Sequence, residues 1–277
     1  MKRKQLGVIG LVIVLMGLLL SLKIKGLVKE ESSNASAETA SNTPALSAEV
    51  LSETAKQTLN ANLAKQISDL ENALKTAEGA EKLELQKKLA QQWDDVNQPA
   101  PAAMYYEAAA EAENTYSGWL KTGDLFTEAY QSTRDTLVQP ALVKKAADAY
   151  QKALDLQSNS LEAKTGLGTA YVNGASNPMQ GIELLLEVVK EEPDNIKANL
   201  NLGLFSMRSG QYDKAVERFK TVIAKQPSPE AWFYLASSYE HLGMKPEAIS
   251  AFEKSKELAA EPALSKFVDQ KIQELSN

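Results

Sequence analysis

Few residue types in this chain are suited to covalent or metal chemistry. The 277 residues contain no cysteine and one histidine, His241, which excludes thiolate metal sites and cysteine nucleophiles and leaves no histidine pair for a metal site. The phosphate-binding GxxxxGK[ST], zinc-binding HExxH and nucleophile GxSxG motifs do not occur. We therefore expect no enzymatic activity, no cofactor and no metal site.

Charge is divided unevenly along the chain. Residues 1–29 contain six basic side chains and no acidic one, so that 24 of the 30 basic residues remain in the rest of the chain against all 36 acidic ones. Such an acidic body does not attract phosphate backbones, and we expect no nucleic-acid partner. The acidic stretch 187–192 is interpreted as a solvated helix face.

The basic N-terminal segment contains an apolar run. Residues 6–22 carry no charge and follow Lys2-Arg3-Lys4, which predicts a membrane anchor over 1–29 with a transmembrane helix over about 6–24. A cleaved signal peptide is the alternative, although the small-x-small triplet Ala35-Ser36-Ala37 lies well downstream of the run. The acidic residues after the run favour a single-pass protein of a bacterial inner membrane, with the C-terminal part of the chain in the periplasm. In the opposite orientation that part would lie in the cytoplasm.

Two segments separate the anchor from the rest of the chain. Residues 30–44 are predicted to be a flexible linker, because 30–43 contain no large apolar side chain. Residues 45–78 contain neither glycine nor proline and are predicted to form one long amphipathic helix that ends at Gly79. Its apolar stripe consists of Leu59, Leu63, Ile67, Leu70, Leu74 and Ala77. We expect this stripe to pack on the next helix; a coiled coil with a second copy is the alternative.

The remainder of the chain repeats itself. Leu202-Gly203, Ala215, Phe219 and Pro227 define a spacing that recurs in five in-register copies, with about eleven residues inserted in the second copy around 130–140. The copies span 83–115, 116–160, 161–195, 196–228 and 229–262. Small residues such as Gly203 and Ala248 would let paired helices approach closely, and Phe219 would fill the space between them.

This pattern of Trp, Leu-Gly, Tyr, Ala, Phe and Pro resembles the tetratricopeptide repeat over 83–262. The resemblance implies an all-α protein, a right-handed α-solenoid of about five helix pairs. Residues 263–277 are predicted to be a capping helix, with an apolar face formed by Leu264, Phe267, Val268, Ile272 and Leu275.

The resemblance also implies that the first helix of each pair lines a concave groove for a protein or peptide segment. In the last two copies the groove residues are then Lys197, Leu200, Asn201, Leu204, Met207, Arg208, Phe233, Tyr234, Ser237, Glu240 and His241. The apolar members suggest an occupied surface, and Lys197 and Arg208 suggest a partner that is apolar and locally acidic. The alternative is that the C-terminal helix covers these residues.

A second groove site occurs in some members of the family, which bind a C-terminal carboxylate. Lys87 and Gln91 match two of its positions, but Lys121 replaces the expected asparagine, so no such partner is predicted. The sequence as a whole predicts a membrane-anchored interaction scaffold or adaptor for secretion, chaperone function or complex assembly. A structural subunit that self-associates into a homo-oligomer through 45–78 is the alternative.

Overall fold

The computed structural model describes residues 46–174, 177–259 and 262–276. The predicted anchor over 1–29 and linker over 30–44 lie outside these ranges. Among the described residues, no helix has the length and apolar character that crossing a membrane requires.

The described residues form thirteen helices and no strand, as expected for an all-α solenoid. In chain order the helices are α1 (Ala48–Lys56), α2 (Ala61–Leu74), α3 (Gly79–Asp95), α4 (Pro99–Glu113), α5 (Tyr116–Ser132), α6 (Gln139–Leu156), α7 (Leu161–Gly174), α8 (Pro178–Glu191), α9 (Ile196–Arg208), α10 (Tyr212–Lys225), α11 (Pro229–His241), α12 (Lys245–Leu258) and α13 (Pro262–Ser276).

The single helix predicted over 45–78 is wrong, because the structure divides it into α1 and α2. Asn60 has an extended backbone, and its side-chain oxygen accepts a hydrogen bond from the Leu63 N–H at 3.0 Å. Asparagine favours such an N-cap over a helix interior, because its side chain satisfies a backbone donor there. Gly79 does have the expected positive φ, at 55°, but it begins α3 instead of ending the preceding helix.

Five antiparallel helix pairs follow, α3–α4, α5–α6, α7–α8, α9–α10 and α11–α12. The second helix of each pair also packs on the first helix of the next pair. Proline occupies the first turn of α4, α6, α8, α11 and α12, where its missing N–H costs no helical hydrogen bond. Because α5 contacts α7, α7 contacts α9 and α9 contacts α11, the first helices share one face of the solenoid.

Glycine permits the closest helix contacts within the pairs. A Cβ on Gly168 of α7 would lie 2.9 Å from the Gly181 carbonyl oxygen of α8, and a Cβ on Gly181 would lie 2.6 Å from the Gly168 oxygen. In the next pair, a Cβ on Gly203 would lie 2.7 Å from the ring of Phe219, which is completely buried. Larger side chains at these positions would force the helices apart.

An ion-pair network joins α1 to α2 and α4. Lys56 Nζ lies 2.9 Å from Glu71 Oε2 and 2.6 Å from Glu53 Oε1, while Ser52 and Tyr105 donate hydrogen bonds to Glu71. Burial lowers the pKa of Lys56, but its hydrogen bonds to the two glutamates outweigh burial and raise it above 10.5. The stabilisation is therefore complete below pH 10.5 and is lost as the pH rises through the raised pKa.

The C-terminal helix α13 closes the last pair by packing on α12. Val268 is completely buried, and Leu264, Ile272 and Leu275 pack on the same core. Phe267, which was expected on this buried face, is 45% exposed. Its ring centroid lies 5.8 Å from that of Phe233 on α11, so that α13 also reaches the first helix of the last pair.

Replacing Ala248 with leucine should overpack the last helix pair, because Ala248 is completely buried in α12. We expect the free energy of unfolding, measured by urea denaturation, to fall by about 1–3 kcal/mol. Ala224→Leu is the matched control, because Ala224 is exposed on α10 and should change stability by no more than about 0.5 kcal/mol. Equal stability of the two variants would contradict the packing described for Ala248.

Glu71→Gln should weaken the attachment of α1, because it removes the carboxylate shared by Lys56, Ser52 and Tyr105. We expect a loss of about 1–3 kcal/mol, measured as faster amide hydrogen exchange in α1. Asp69→Asn is the control, since its partner Lys65 is solvent-exposed and such pairs contribute about 1 kcal/mol or less. Unchanged exchange in Glu71→Gln would show that the network does not hold α1.

Candidate functional site

Two concave cavities open on the face formed by the first helices. The N-terminal groove, between α3, α4 and α5, has a volume of about 850 Å³. The central groove, formed mainly by α5, α7 and α9, has a volume of about 770 Å³. Both volumes are within the range of about 300–1,000 Å³ found for ligand-binding clefts.

The lysines of the N-terminal groove are largely neutralised within the chain. Lys87 Nζ lies 2.5 Å from Glu113 Oε1, and this hydrogen bond raises the pKa of Lys87. Lys121 Nζ lies 2.8 Å from Asp94 Oδ2 and 5.7 Å from the ring centroid of Tyr106. The lysines at the incomplete carboxylate-binding pattern are therefore already paired with acidic side chains.

The central groove combines polar walls with apolar positions. Its lining from the first helices consists of Asp124, Thr127, Glu128 and Gln131 on α5, Leu161, Glu162, Thr165, Gly166 and Thr169 on α7, and Ile196, Lys197, Leu200 and Asn201 on α9. Tyr150 of α6 and two residues between α8 and α9, Glu192 and Asn195, complete it. Leu161, Ile196 and Leu200 are half-buried, so they present apolar surface to an occupant.

Tyr150 forms the floor of the central groove between α5 and α7. A Cβ on Gly123 would lie 2.7 Å from its ring, and a Cβ on Gly166 would overlap the ring. Only glycine at both positions lets the phenol pass between the two helices and reach the groove. The hydroxyl then donates to Asp124 Oδ1 at 2.7 Å. Burial, followed by the negative charge of Asp124, raises the pKa of Tyr150 well above 10, so the phenol remains protonated.

The charge of the central groove is predominantly negative. Asp124, Glu128, Glu162 and Glu192 line it with one lysine, Lys197. All four acidic residues are solvent-exposed. Within the described ranges, none of them forms an ion pair with a lysine, arginine or histidine. The lining is thus acidic, the opposite of the basic edge expected from Lys197 and Arg208.

The predicted site residues do not form one site. Lys197, Leu200 and Asn201 line the central groove. Leu204, Met207, Phe233 and Tyr234 are half-buried and pack on the C-terminal core. The exposed Arg208 guanidinium lies 5.9 Å from the Phe205 ring centroid.

At the end of the last pair, α13 covers part of the predicted surface. Phe233 contacts Phe267, as described above, and Lys271 Nζ of α13 lies 3.0 Å from Glu240 Oε1 of α11. For these two α11 residues the structure therefore supports the alternative of a covering C-terminal helix.

His241 lies at the end of α11, outside both grooves. Its ring stacks on Tyr212 with centroids 4.3 Å apart, and Nδ1 lies 2.8 Å from the Ser237 carbonyl oxygen. In the described ranges, no group of three or more His, Asp or Glu side chains has the arrangement of a metal site.

Sequence reasoning did not select the residues that α5 and α7 contribute to the central groove. Asp124, Glu162 and Thr165 occupy the same face of their helices as the residues selected in α9 and α11. The repeat register places these residues at equivalent positions and could have identified them. The sequence prediction instead favoured apolar residues, which are concentrated in the first helices of the last two pairs.

Comparisons with known proteins agree with this architecture. A sequence model described as tetratricopeptide repeat matches residues 206–262, from the end of α9 to the end of α12. No curated protein matches the chain.

Solved structures are similar in fold. The type IV pilus biogenesis factor PilW is 20% identical with a TM-score of 0.55, over 71% of this chain and 87% of that chain. A thermophilic TPR protein of Thermus thermophilus is 19% identical with a TM-score of 0.52, over 68% and 97%. A double mutant of MamA is 20% identical with a TM-score of 0.52, over 66% and 96%. At these identities the similarity shows a shared fold.

The family match covers the end of α9 and all of α10, α11 and α12, and the earlier helices repeat the same packing of two antiparallel helices. The solenoid of stacked pairs is also the fold of the similar TPR structure. The described residues therefore have the fold of a tetratricopeptide-repeat solenoid, and residues 206–262 match the sequence model of that family.

Proposed function

We propose that this chain is an interaction scaffold that binds a polypeptide segment of a partner protein in its central groove. The observation that carries the proposal is the groove of about 770 Å³ lined by three consecutive first helices. Solenoids of stacked helix pairs use such extended concave surfaces for binding.

The composition of the groove supports a polypeptide occupant. Leu161, Ile196 and Leu200 offer apolar contact, while the surrounding threonine, asparagine and carboxylate side chains can meet the polar groups of a peptide backbone. An apolar centre with a polar rim is typical of protein interfaces. Tyr150 is held on both sides by helix backbone, so the floor is formed before the partner arrives and binding costs little additional ordering.

The N-terminal sequence extends the proposal to a membrane-tethered scaffold. The uncharged run over 6–22 and the basic residues around it support a single transmembrane helix in a bacterial inner membrane. The acidic residues that follow support a periplasmic body.

The self-associating alternative receives less support. Ile67, at the centre of the predicted stripe, is completely buried, and Leu59, Leu70 and Leu74 pack on the N-terminal core. The stripe is therefore engaged within the chain, with α2 packed on α3, and offers little apolar surface to a second copy.

Filling the groove should abolish partner binding. Peptides are first selected from a displayed random library for binding to the full wild-type chain in detergent. We expect their affinity to be at least about tenfold lower for the double variant Gln131→Trp/Asn201→Trp. Both positions line the groove, and the two substitutions leave the net charge unchanged. Affinity is measured by fluorescence anisotropy of the labelled peptides.

The double variant Gln151→Trp/Gln180→Trp is the matched control, because both glutamines are exposed on second helices outside the groove lining. It should bind the same peptides as the wild type. If the groove variant also binds them normally while Arg208→Glu does not, the binding surface lies at the C-terminal end instead.

The proposed tether predicts that the mature protein keeps its N-terminal segment. Mass spectrometry of the chain extracted from membranes should give the mass of the intact sequence, 30.1 kDa, because no small-x-small triplet directly follows the apolar run. A mature chain that begins near Glu38 would show cleavage after Ala37 and would overturn the anchor.

A further inference from the structure

The lining of the central groove favours one chemical class of partner in both charge and hydrogen-bonding capacity. We propose that the groove binds a polypeptide segment that carries lysine or arginine side chains. This inference rests on the proposed function, because it assumes that the central groove is the partner-binding surface.

The first argument is charge complementarity. Glu128 lies one turn after Asp124 on α5, Glu162 lies in the first turn of α7, and Glu192 follows α8. Because the described residues provide these carboxylates with no cationic partner, their charge remains available to an occupant. The N-terminal groove differs, since its lining contains as many lysines as acidic residues, and Glu113 already pairs with Lys87.

The second argument is the direction of the hydrogen bonds in the walls. Thr127, Thr165 and Thr169 donate their hydroxyl protons to backbone carbonyl oxygens one turn earlier in their own helices, at 2.7–2.9 Å. A hydroxyl has one proton and two lone pairs. The donors of these threonines are therefore already in use. The half-buried Thr127 presents acceptor capacity to the groove, whereas Thr165 and Thr169 are buried.

The phenol follows the same pattern, and two amides have one of their two N–H donors in use. Asn201 Nδ2 donates to the Lys197 carbonyl oxygen at 2.8 Å, Asn195 Nδ2 donates to Glu192 at 2.9 Å, and Tyr150 donates to Asp124. Lysine and arginine side chains are donors without acceptors, so they complement this lining. An acidic segment would meet like charges.

Asp124 is a pre-positioned member of this acceptor set. The buried Tyr150 ring cannot move between Gly123 and Gly166 without displacing helix backbone, and its hydroxyl holds one oxygen of Asp124. The other carboxylate oxygen is left for a cation. A fixed acceptor lowers the ordering cost of binding and favours a defined position of the basic side chain.

The experiment selects peptides from a displayed library of random linear peptides on the full chain in detergent. It then compares their binding to two triple variants. The charge variant is Glu128→Gln/Glu162→Gln/Glu192→Gln, which keeps Asp124 and its bond to Tyr150. The control variant is Glu183→Gln/Glu191→Gln/Glu217→Gln, which removes three exposed acidic residues on second helices, outside the groove lining. Both variants change the net charge equally.

Peptides selected on the wild type should be enriched in lysine and arginine and depleted in acidic residues. Their affinity should fall about tenfold for the charge variant and remain unchanged for the control variant, and it should weaken as the salt concentration is raised. Circular dichroism should show equal helicity for both variants, since all the substituted side chains are exposed.

Two results would overturn the inference, and they are distinguishable. In the first result, the peptides lose binding in Gln131→Trp/Asn201→Trp, but they lack basic residues or bind the charge variant as tightly as the wild type. This result would refute the charge preference and leave the proposed function standing. Peptides that bind the tryptophan variant as well as the wild type would refute both.

Discussion

The pairs α5–α6 and α9–α10 depend on large aromatic side chains of their second helices, which pack against glycines of first helices. Phe219 packs against Gly203, and Tyr150 packs against both Gly123 and Gly166. A single pair could not bury such a ring from both sides, so the next pair is required to complete its environment. Because Tyr150 contacts first helices from two successive pairs, the same contact that closes one pair also sets the position of the next.

This packing explains why a groove exists at all. The aromatic rings and the alanines use one side of each first helix for the core, and the opposite side is left for solvent or a partner. In α7, Ala163, Leu167 and Ala170 are buried in the core, while Glu162 and Gly166 open to the central groove. The stacking of pairs then places equivalent positions of α5, α7 and α9 side by side, so that a periodic sequence produces a continuous surface.

The repeat register could be predicted from the sequence, because its small and aromatic residues recur at fixed spacing. Helices α5, α7, α9 and α11 begin at Tyr116, Leu161, Ile196 and Pro229, the residues at which the copies were expected to start. The break at Asn60 was missed, since one capping residue does not disturb an apolar period. The central groove was also missed, because it depends on Tyr150, a second-helix residue that reaches the opposite face through two glycines. No periodicity within a first helix reports that contribution.

Most contacts between the described helices join first or second neighbours in the chain, and one connection spans a longer distance along the sequence. Helix α1 packs on α4, three helices later, and the Glu71 network includes Tyr105 of α4. Contacts between near neighbours form quickly, whereas a contact that spans several helices must wait until the later segment has been synthesised. A chain that emerges N-terminus first therefore exposes α1 without its docking surface until the first repeat has folded. During this interval α1 is open to chaperones and proteases.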